Sequence, residues 1–213
     1  MQLHGFWRST ATWRVRIALA HKGLAYRYVP VDLVAGDQHD PAYQQISPMS
    51  QVPVLVLADG ARISQSIAIL EFLEETWPEP PLLPRDARAR ARVREFTEVI
   101  NAGIQPLQNT AVRLHLERTQ GVDIPAWIDR FVGRGLAALE TLAARSAGRF
   151  IVGDELSFAD VALVPQLYFA RRFDLDLATC PTLLRVEAAC SSLACFQVAH
   201  AEHQPDFTAE PRP

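Results

Sequence analysis

No stretch of this chain holds the roughly 18 consecutive apolar residues that a membrane-spanning helix needs, so a membrane protein of the helical kind is excluded. An apolar leader is missing as well: Arg8, Arg14 and Arg16 stand where a secretory signal would be apolar, and a cytoplasmic location is the expectation. Cysteine is scarce. The three present, Cys180, Cys190 and Cys195, are odd in number and form no CxxC spacing, which excludes a disulfide framework and fits a reducing compartment. Cys195 with His200 and His203 comes nearest to a metal-ligand set, but no fourth ligand is in view; ordinary core and surface roles are the plainer reading, and no metal is expected. Charge of one sign is also lacking. The net charge of -3 gives no basic field for a phosphate backbone. The one dense run, Arg85, Arg88, Arg90, Arg92 and Arg94, is scattered around a helix by its spacing of two from Arg88 onward and diluted by Asp86, Glu95 and Glu98, so no nucleic-acid partner is expected. No internal repeat is visible.

What is present is a chain of 213 residues, 49% apolar, enough for one large or two small domains with a buried core. The first third alternates strand and helix patterns. Gln2 to Phe6 reads as a strand, Thr12 to Lys22 as a helix stopping at Gly23, and Tyr26 to Leu33, Val54 to Leu57 and Arg62 to Ser64 as three more strands, the last after the Asp59-Gly60 turn. Ser66 stands where an N-cap belongs and opens a helix to Thr76. The segment from Pro78 to Pro84 carries four prolines, which neither a helix nor a central strand accommodates. Beyond it the pattern is helical over Ala87 to about Glu117, Ile124 to Ala147, Phe158 to Phe173 and Pro181 to about Ala199, with Ser157 and Asp160 spaced as a capping box on a buried helix. The expected organisation is an α/β domain over 1–77, a proline-rich linker over 78–86, an all-helical domain over 87–206 and a tail over 207–213, with fraying from Gln204 onward.

Three local features bear on chemistry. Ser9 and Thr10 lie between the first strand and the first helix, where free amide groups and the helix dipole favour an anion; taken alone, a plain N-cap is the simpler reading. Gln51-Val52-Pro53 precedes the third strand. A cis bond there leaves the Val52 backbone free to pair with a peptide-like ligand, though most X-Pro bonds are trans. Gln65 and Ser66 mark another helix start, able to hold a carboxylate or merely to cap.

Together these features resemble the thioredoxin-like domain of glutathione transferases, and the linear text resembles their zeta class. The likeness rests on Trp7 to Leu19 (WRSTATWRVRIAL), Pro48 to Pro53 (PMSQVP) and Gln65 to Glu75 (QSIAILEFLEE), and continues through Gly103 to Asn109, Val152 to Glu155, Ala159 to Val161, Leu163 to Gln166 and Ala170 to Phe173. It implies the cytosolic glutathione transferase fold: an α/β N-terminal thioredoxin-like domain plus an all-α C-terminal domain that binds substrate.

The resemblance further implies glutathione as cofactor, with Ser9 and Thr10 beside its sulfur, Gln51, Val52 and a cis Pro53 along its backbone, and Gln65 and Ser66 on its γ-glutamyl end. Gln108 and Asn109 join them from the second domain, and the assembly implied is a homodimer. The implied activity is cis-trans isomerisation of a maleyl keto acid, maleylacetoacetate to fumarylacetoacetate. Maleylpyruvate isomerisation, glutathione conjugation or dehalogenation of small electrophiles, and idle glutathione binding are the competing readings. A small dicarboxylate substrate calls for arginine, whose planar fork binds a carboxylate bidentately; Arg8 and Arg172 are the candidates, with Arg171 as the spare. One departure stands out: the family's S-S-C-x-W reads Ser9-Thr10-Ala11-Thr12-Trp13 here, so the thiol is gone.

Overall fold

The computed structural model describes residues 1–208, which divide into two compact units: Met1–Pro81 with the segment from Ser192 onward, and Leu82–Ser191. The division falls inside the proline-rich segment. The last stretch, however, belongs to the first unit and not to a helical domain running to 206.

The first unit opens with β1 (Gln2–Gly5), α1 (Thr10–His21) and β2 (Arg27–Pro30), a right-sized crossover joining two parallel strands. After the short α2 (Pro41–Gln44) come β3 (Val54–Val56), β4 (Arg62–Ser64) and α3 (Ser66–Thr76). The sheet order is β2-β1-β3-β4, with β3 antiparallel to both its neighbours. The second strand is shorter than its sequence pattern suggests, since the alternation runs past Pro30 into a turn that Asp32 organises by accepting from the N–H groups of Val34 and Ala35.

Every residue of α1 from Thr12 to Leu19 is buried, Arg14 and Arg16 included. A helix buried all round has no polar face, so its charged side chains must find partners inside. Arg16 does so on backbone carbonyls: its Nε donates to Ala199 (3.1 Å), its Nη2 to Trp7 (2.8 Å) and its Nη1 to Phe6 (3.5 Å). Lys22, capping the C-terminus of α1, spends its three donors on the Glu74 carboxylate (2.7 Å) and the carbonyls of Trp77 (2.7 Å) and Pro80 (3.0 Å), tying α1 to the end of α3. Gly5 has no alternative: a Cβ there would lie 2.3 Å from Cγ2 of Thr12, where the strand end meets the helix.

The returning segment, with a short helix over Ala194–Val198, packs on this unit through particular groups. Asp206 accepts hydrogen bonds from the Trp7 N–H (2.9 Å) and the Tyr28 hydroxyl (3.1 Å), Phe207 meets the Trp7 ring edge-on at 5.0 Å, and His200 meets Trp13 the same way at 5.0 Å. The expected fraying therefore does not begin at Gln204, because a carboxylate and an aromatic ring hold residues 204–208; positions 209–213 lie outside the described residues.

The second unit holds α4 (Ala87–Glu98), α5 (Gln105–Gln108), α6 (Thr110–Gln120), α7 (Ile124–Ile128), α8 (Arg134–Ser146), α9 (Phe158–Arg172) and α10 (Pro181–Ser191), with π-helical stretches at Val99–Ile104 and Asp129–Gly133. The expected capping box forms: Asp160 accepts from the N–H and hydroxyl of Ser157 and from the Ile151 N–H (2.9, 2.8 and 2.8 Å). Helix α9, buried from Phe158 through Leu167, is the centre of this unit. Two expected helices are interrupted. Asn109 leaves the helical region and caps α6 through the Ala111 N–H (2.9 Å), and α10 stops at Ser191 before the chain returns to the first unit. Carbonyls freed at the Asn109 break are taken by side chains, Leu107 by the Trp127 indole (2.8 Å) and Gln108 by the Arg113 guanidinium (3.0 Å). Among the described residues no helix is long and apolar enough to cross a membrane.

Candidate active site

Strand register decides what meets at one end of the sheet. His4 pairs with Val54 and Val54 with Ser64, so the next positions, Gly5, Pro53 and Gln65, form a row across β1, β3 and β4. Beyond that row lie the Phe6–Ser9 loop, the Gln51–Val52 loop and the start of α3. Gly5 and Gln65, 60 positions apart in sequence, thus come into one row, together with the N-termini of α1 and α3, both ends that attract anions.

Ser9 caps α1, its Oγ accepting from the Thr12 N–H (3.2 Å). Capping occupies a lone pair and leaves the hydroxyl proton to donate, so the plain and the functional readings of Ser9 are compatible. Thr10 is the first helical residue and is buried. The Val52–Pro53 peptide bond is cis. Its loop is pinned at Gln51, whose carbonyl accepts from Tyr43 Oη (2.9 Å) and Ser47 Oγ (2.8 Å) while its N–H donates to Ser47 Oγ (3.1 Å). Burial pushes the Tyr43 phenol up to about 12, so it stays a donor. No hydrogen bond to the Val52 backbone occurs among the described residues.

At the start of α3 the N-cap is Gln65, not Ser66 as expected, and Gln65 holds the uncommon φ of 70°. The sharp turn out of β4 forces this conformation one residue earlier than propensity indicates. Ser66, the first helical residue, is buried and accepts from Arg14 Nη1 (3.2 Å). Arg14 therefore presets the hydroxyl that sequence reasoning singled out, although the arginine itself went unremarked there except as a bar to a leader.

In the second unit the expected residues are placed as follows. Gln108 forms a reciprocal buried amide pair with Gln166 (3.1 and 2.8 Å), which commits its side chain to α9, while Asn109 caps α6. Arg171 is half exposed and bound in a bidentate pair to Glu187, Nη1 to Oε1 at 2.6 Å and Nη2 to Oε2. Arg172 ends α9, is partly buried, and has no hydrogen bond or ion pair among the described residues; burial draws its pKa down. The structure thus separates the two arginines by their pairing.

Arg8 lies with Phe6, Trp7, Pro30, Asp32, Val34, Asp206 and Thr208 around a cavity of about 50 Å³, its guanidinium 5.7 Å from the Phe6 ring and 5.8 Å from that of Trp7. That space suits a water molecule or two, not a tripeptide. Sequence reasoning missed Arg16, Asp206 and Arg113. The first was detectable, since an arginine in an all-apolar helical run has to be paired. Of the weak metal set, His200 packs on Trp13 and His203 Nδ1 lies 2.7 Å from the Gln197 carbonyl.

Residues 8–76 match the glutathione S-transferase N-terminal domain and residues 125–191 the glutathione S-transferase C-terminal domain. The chain is 45% identical to the maleylacetoacetate isomerase of Rattus norvegicus over 99% of its own length and 96% of that protein. Among solved structures it is similar to maleylacetoacetate isomerase from Anaeromyxobacter dehalogenans 2CP-1 with bound GSH in the active site, at 53% identity, TM-score 0.89 and 96% coverage of both chains. That protein has also been solved with dicarboxyethyl glutathione and citrate in the active site, where identity is 52%, TM-score 0.89 and coverage 99% of this chain and 97% of that one. Maleylpyruvate isomerase from Pseudomonas aeruginosa PAO1 is 40% identical with TM-score 0.84, over 98% of this chain and 100% of that one.

Proposed function

Because the chain belongs to the glutathione S-transferase family, in its zeta class with the maleylacetoacetate isomerases, we propose that it is a glutathione-dependent cis-trans isomerase of a maleyl keto acid, with maleylacetoacetate as substrate. The observation that carries this reading is the row Gly5, Pro53, Gln65, which sets a capped serine, a cis Val52–Pro53 and a second helix start at one end of one sheet. Glutathione fits it: a γ-glutamyl peptide needs a carboxylate site, a backbone partner and a polar group at its sulfur.

When bound, glutathione supplies a thiolate that adds reversibly to the conjugated alkene, so that the bond is single while it rotates. The chain's part is to favour the charged sulfur. Moving a thiol pKa of about 8.5 down by two units asks for about 2.7 kcal/mol of preference for the thiolate. A hydrogen bond from Ser9 to a charged partner is worth about 1.5 to 3 kcal/mol and the α1 dipole about 0.3 to 2, together a range that brackets the requirement without the thiol that Ala11 lacks. Thr10 keeps a second hydroxyl close by. Val52 offers its N–H and C=O to the peptide, with Gln51 beside it, and Gln65 with Ser66 receives the γ-glutamyl carboxylate, the latter oriented by Arg14. Asn109 is our candidate for a further glutathione contact; Gln108 serves by fixing the helix break that presents it. Arg172 takes a substrate carboxylate, and Arg8 is assigned the lesser part because the cavity it lines has room only for a water molecule or two.

A homodimer in the cytoplasm completes the proposal, in keeping with the three free thiols; light scattering on the purified protein checks the assembly. Turnover is tested by following formation of the fumaryl isomer from maleylacetoacetate and from maleylpyruvate, each with and without glutathione. Glutathione-dependent turnover of maleylacetoacetate is expected. Faster turnover of maleylpyruvate would reassign the substrate, and silence on both with glutathione still bound would leave conjugation or ligand binding.

A further inference from the structure

Helix α6 carries a buried cation that the reading above does not use. Arg113 is 9% exposed. It sits in the first turn of α6, four residues beyond the N-cap Asn109, and folds back over the helix break, with Nε donating to the Gln108 carbonyl (3.0 Å) and Nη2 to Thr110 Oγ1 (3.4 Å). Its guanidinium carbon lies 4.8 Å from the centre of the Phe173 ring, and that of Arg172 lies 6.0 Å from the same centre. Two guanidinium groups from different helices are thus gathered about one aromatic ring.

No ion pair balances them. Among the described residues neither Arg113 nor Arg172 is salt-bridged, whereas the adjacent Arg171 is fully committed to Glu187. The groups that face the pair are Glu117, on α6, which partly offsets the charge of Arg113, and the Tyr168 phenol near Arg172. Burial draws both guanidinium pKa values down, and the charge of Arg172 draws that of Arg113 down further. Like charges brought together in a partly desolvated place are unfavourable unless an anion joins them. The ring holds each cation by its face and leaves the N–H edges to donate. Arg113 uses two of its five N–H groups internally.

We propose that Arg113 is a second carboxylate-binding residue, which with Arg172 and the Phe173 ring forms an anion site on the helical unit for one carboxylate of the substrate. The assignment rests on the dicarboxylate reading of the substrate and extends it. It makes Arg113 a determinant of specificity for anionic over uncharged electrophiles.

Arg113→Gln keeps an amide donor for the Gln108 carbonyl and removes the charge, together with the Nη2 donor to Thr110. With the full-length variant, the ratio of kcat/KM for the dianionic maleyl keto acid to that for an uncharged electrophile such as 1-chloro-2,4-dinitrobenzene is expected to fall about tenfold or more, through KM. Because both arginines hold one carboxylate, the Arg113→Gln/Arg172→Gln protein should lose less than the product of the two single losses. An unchanged ratio overturns the inference, whether both activities persist or both fall together as a merely structural role dictates. Calorimetric titration with malonate keeps the two readings apart. If no isomerisation occurs but Arg113→Gln still weakens malonate binding several-fold, the reaction is misassigned and the anion site stands; equal malonate affinity in wild type and variant removes the site.

Discussion

Ser9 illustrates how one hydroxyl can cap a helix and still serve the proposed chemistry, since the lone pair that caps α1 and the proton left to donate are different parts of the same group. Ser9→Ala should lower turnover by about 10² or more while glutathione affinity, measured by calorimetry, stays nearly constant, because the hydroxyl favours the charged sulfur more than the bound tripeptide. Unchanged turnover would pass the role to Thr10. Arg172→Leu should raise KM for dianionic substrates and spare conjugation of uncharged ones, and equal loss on both would remove the carboxylate grip. Ser9, Val52, Pro53, Gln65 and Ser66 stood out as candidates in the sequence because each stands at an element boundary, and boundaries are marked by capping residues and prolines. Arg113 was not. Nothing in its neighbours along the chain distinguishes it from a surface arginine until Phe173 and Arg172 are brought beside it.

At the level of elements, the capping box of α9 has a measurable pH signature. Asp160 is completely buried, and desolvation raises its pKa from the ordinary 3.8 to about 6, against the opposing hydrogen bonds from Ile151 and Ser157. With the folded value above the unfolded one, the stability contributed by this side chain is fully present below pH 3.8 and is lost as pH rises through 6. The loss amounts to about 3 kcal/mol at most. Denaturant titrations of the wild type and Asp160→Asn between pH 4 and 7 should show the wild type losing ground to the variant as pH rises; parallel curves would put the titration elsewhere. The S-x-x-D spacing declared this helix start from sequence. The break at Asn109 was hidden, because Ile104, Leu107, Ala111 and Leu114 continue a helical apolar period across it, and only the Trp127 and Arg113 side chains that take up the freed carbonyls make the interruption stable.

On the scale of the whole chain, the segment after Ser191 returns to the unit the chain began with and closes around the loop that leads to Ser9. Trp7 is held at both ends of its peptide, its N–H by Asp206 and its carbonyl by Arg16, which also grips Ala199. Asp206→Ala should destabilise the protein by about 2–3 kcal/mol, the range for a charge-assisted hydrogen bond whose buried partners are left unmatched. It should also weaken glutathione binding, read as a smaller rise in Tm on adding the tripeptide; saturation at 100 times Kd stabilises by about 2.7 kcal/mol. A variant with wild-type stability and an unaltered glutathione shift would show that the segment does not support the site. Sequence by itself determined most element types, the proline-rich division and the starts of α1 and α9, because periodicity, capping and proline act over a few neighbours. Tertiary structure alone decided which arginines are buried, which of Arg171 and Arg172 is unpaired, and that Asp206 belongs with Trp7, because desolvation and charge pairing depend on groups that come together only when distant parts of the chain are folded against each other.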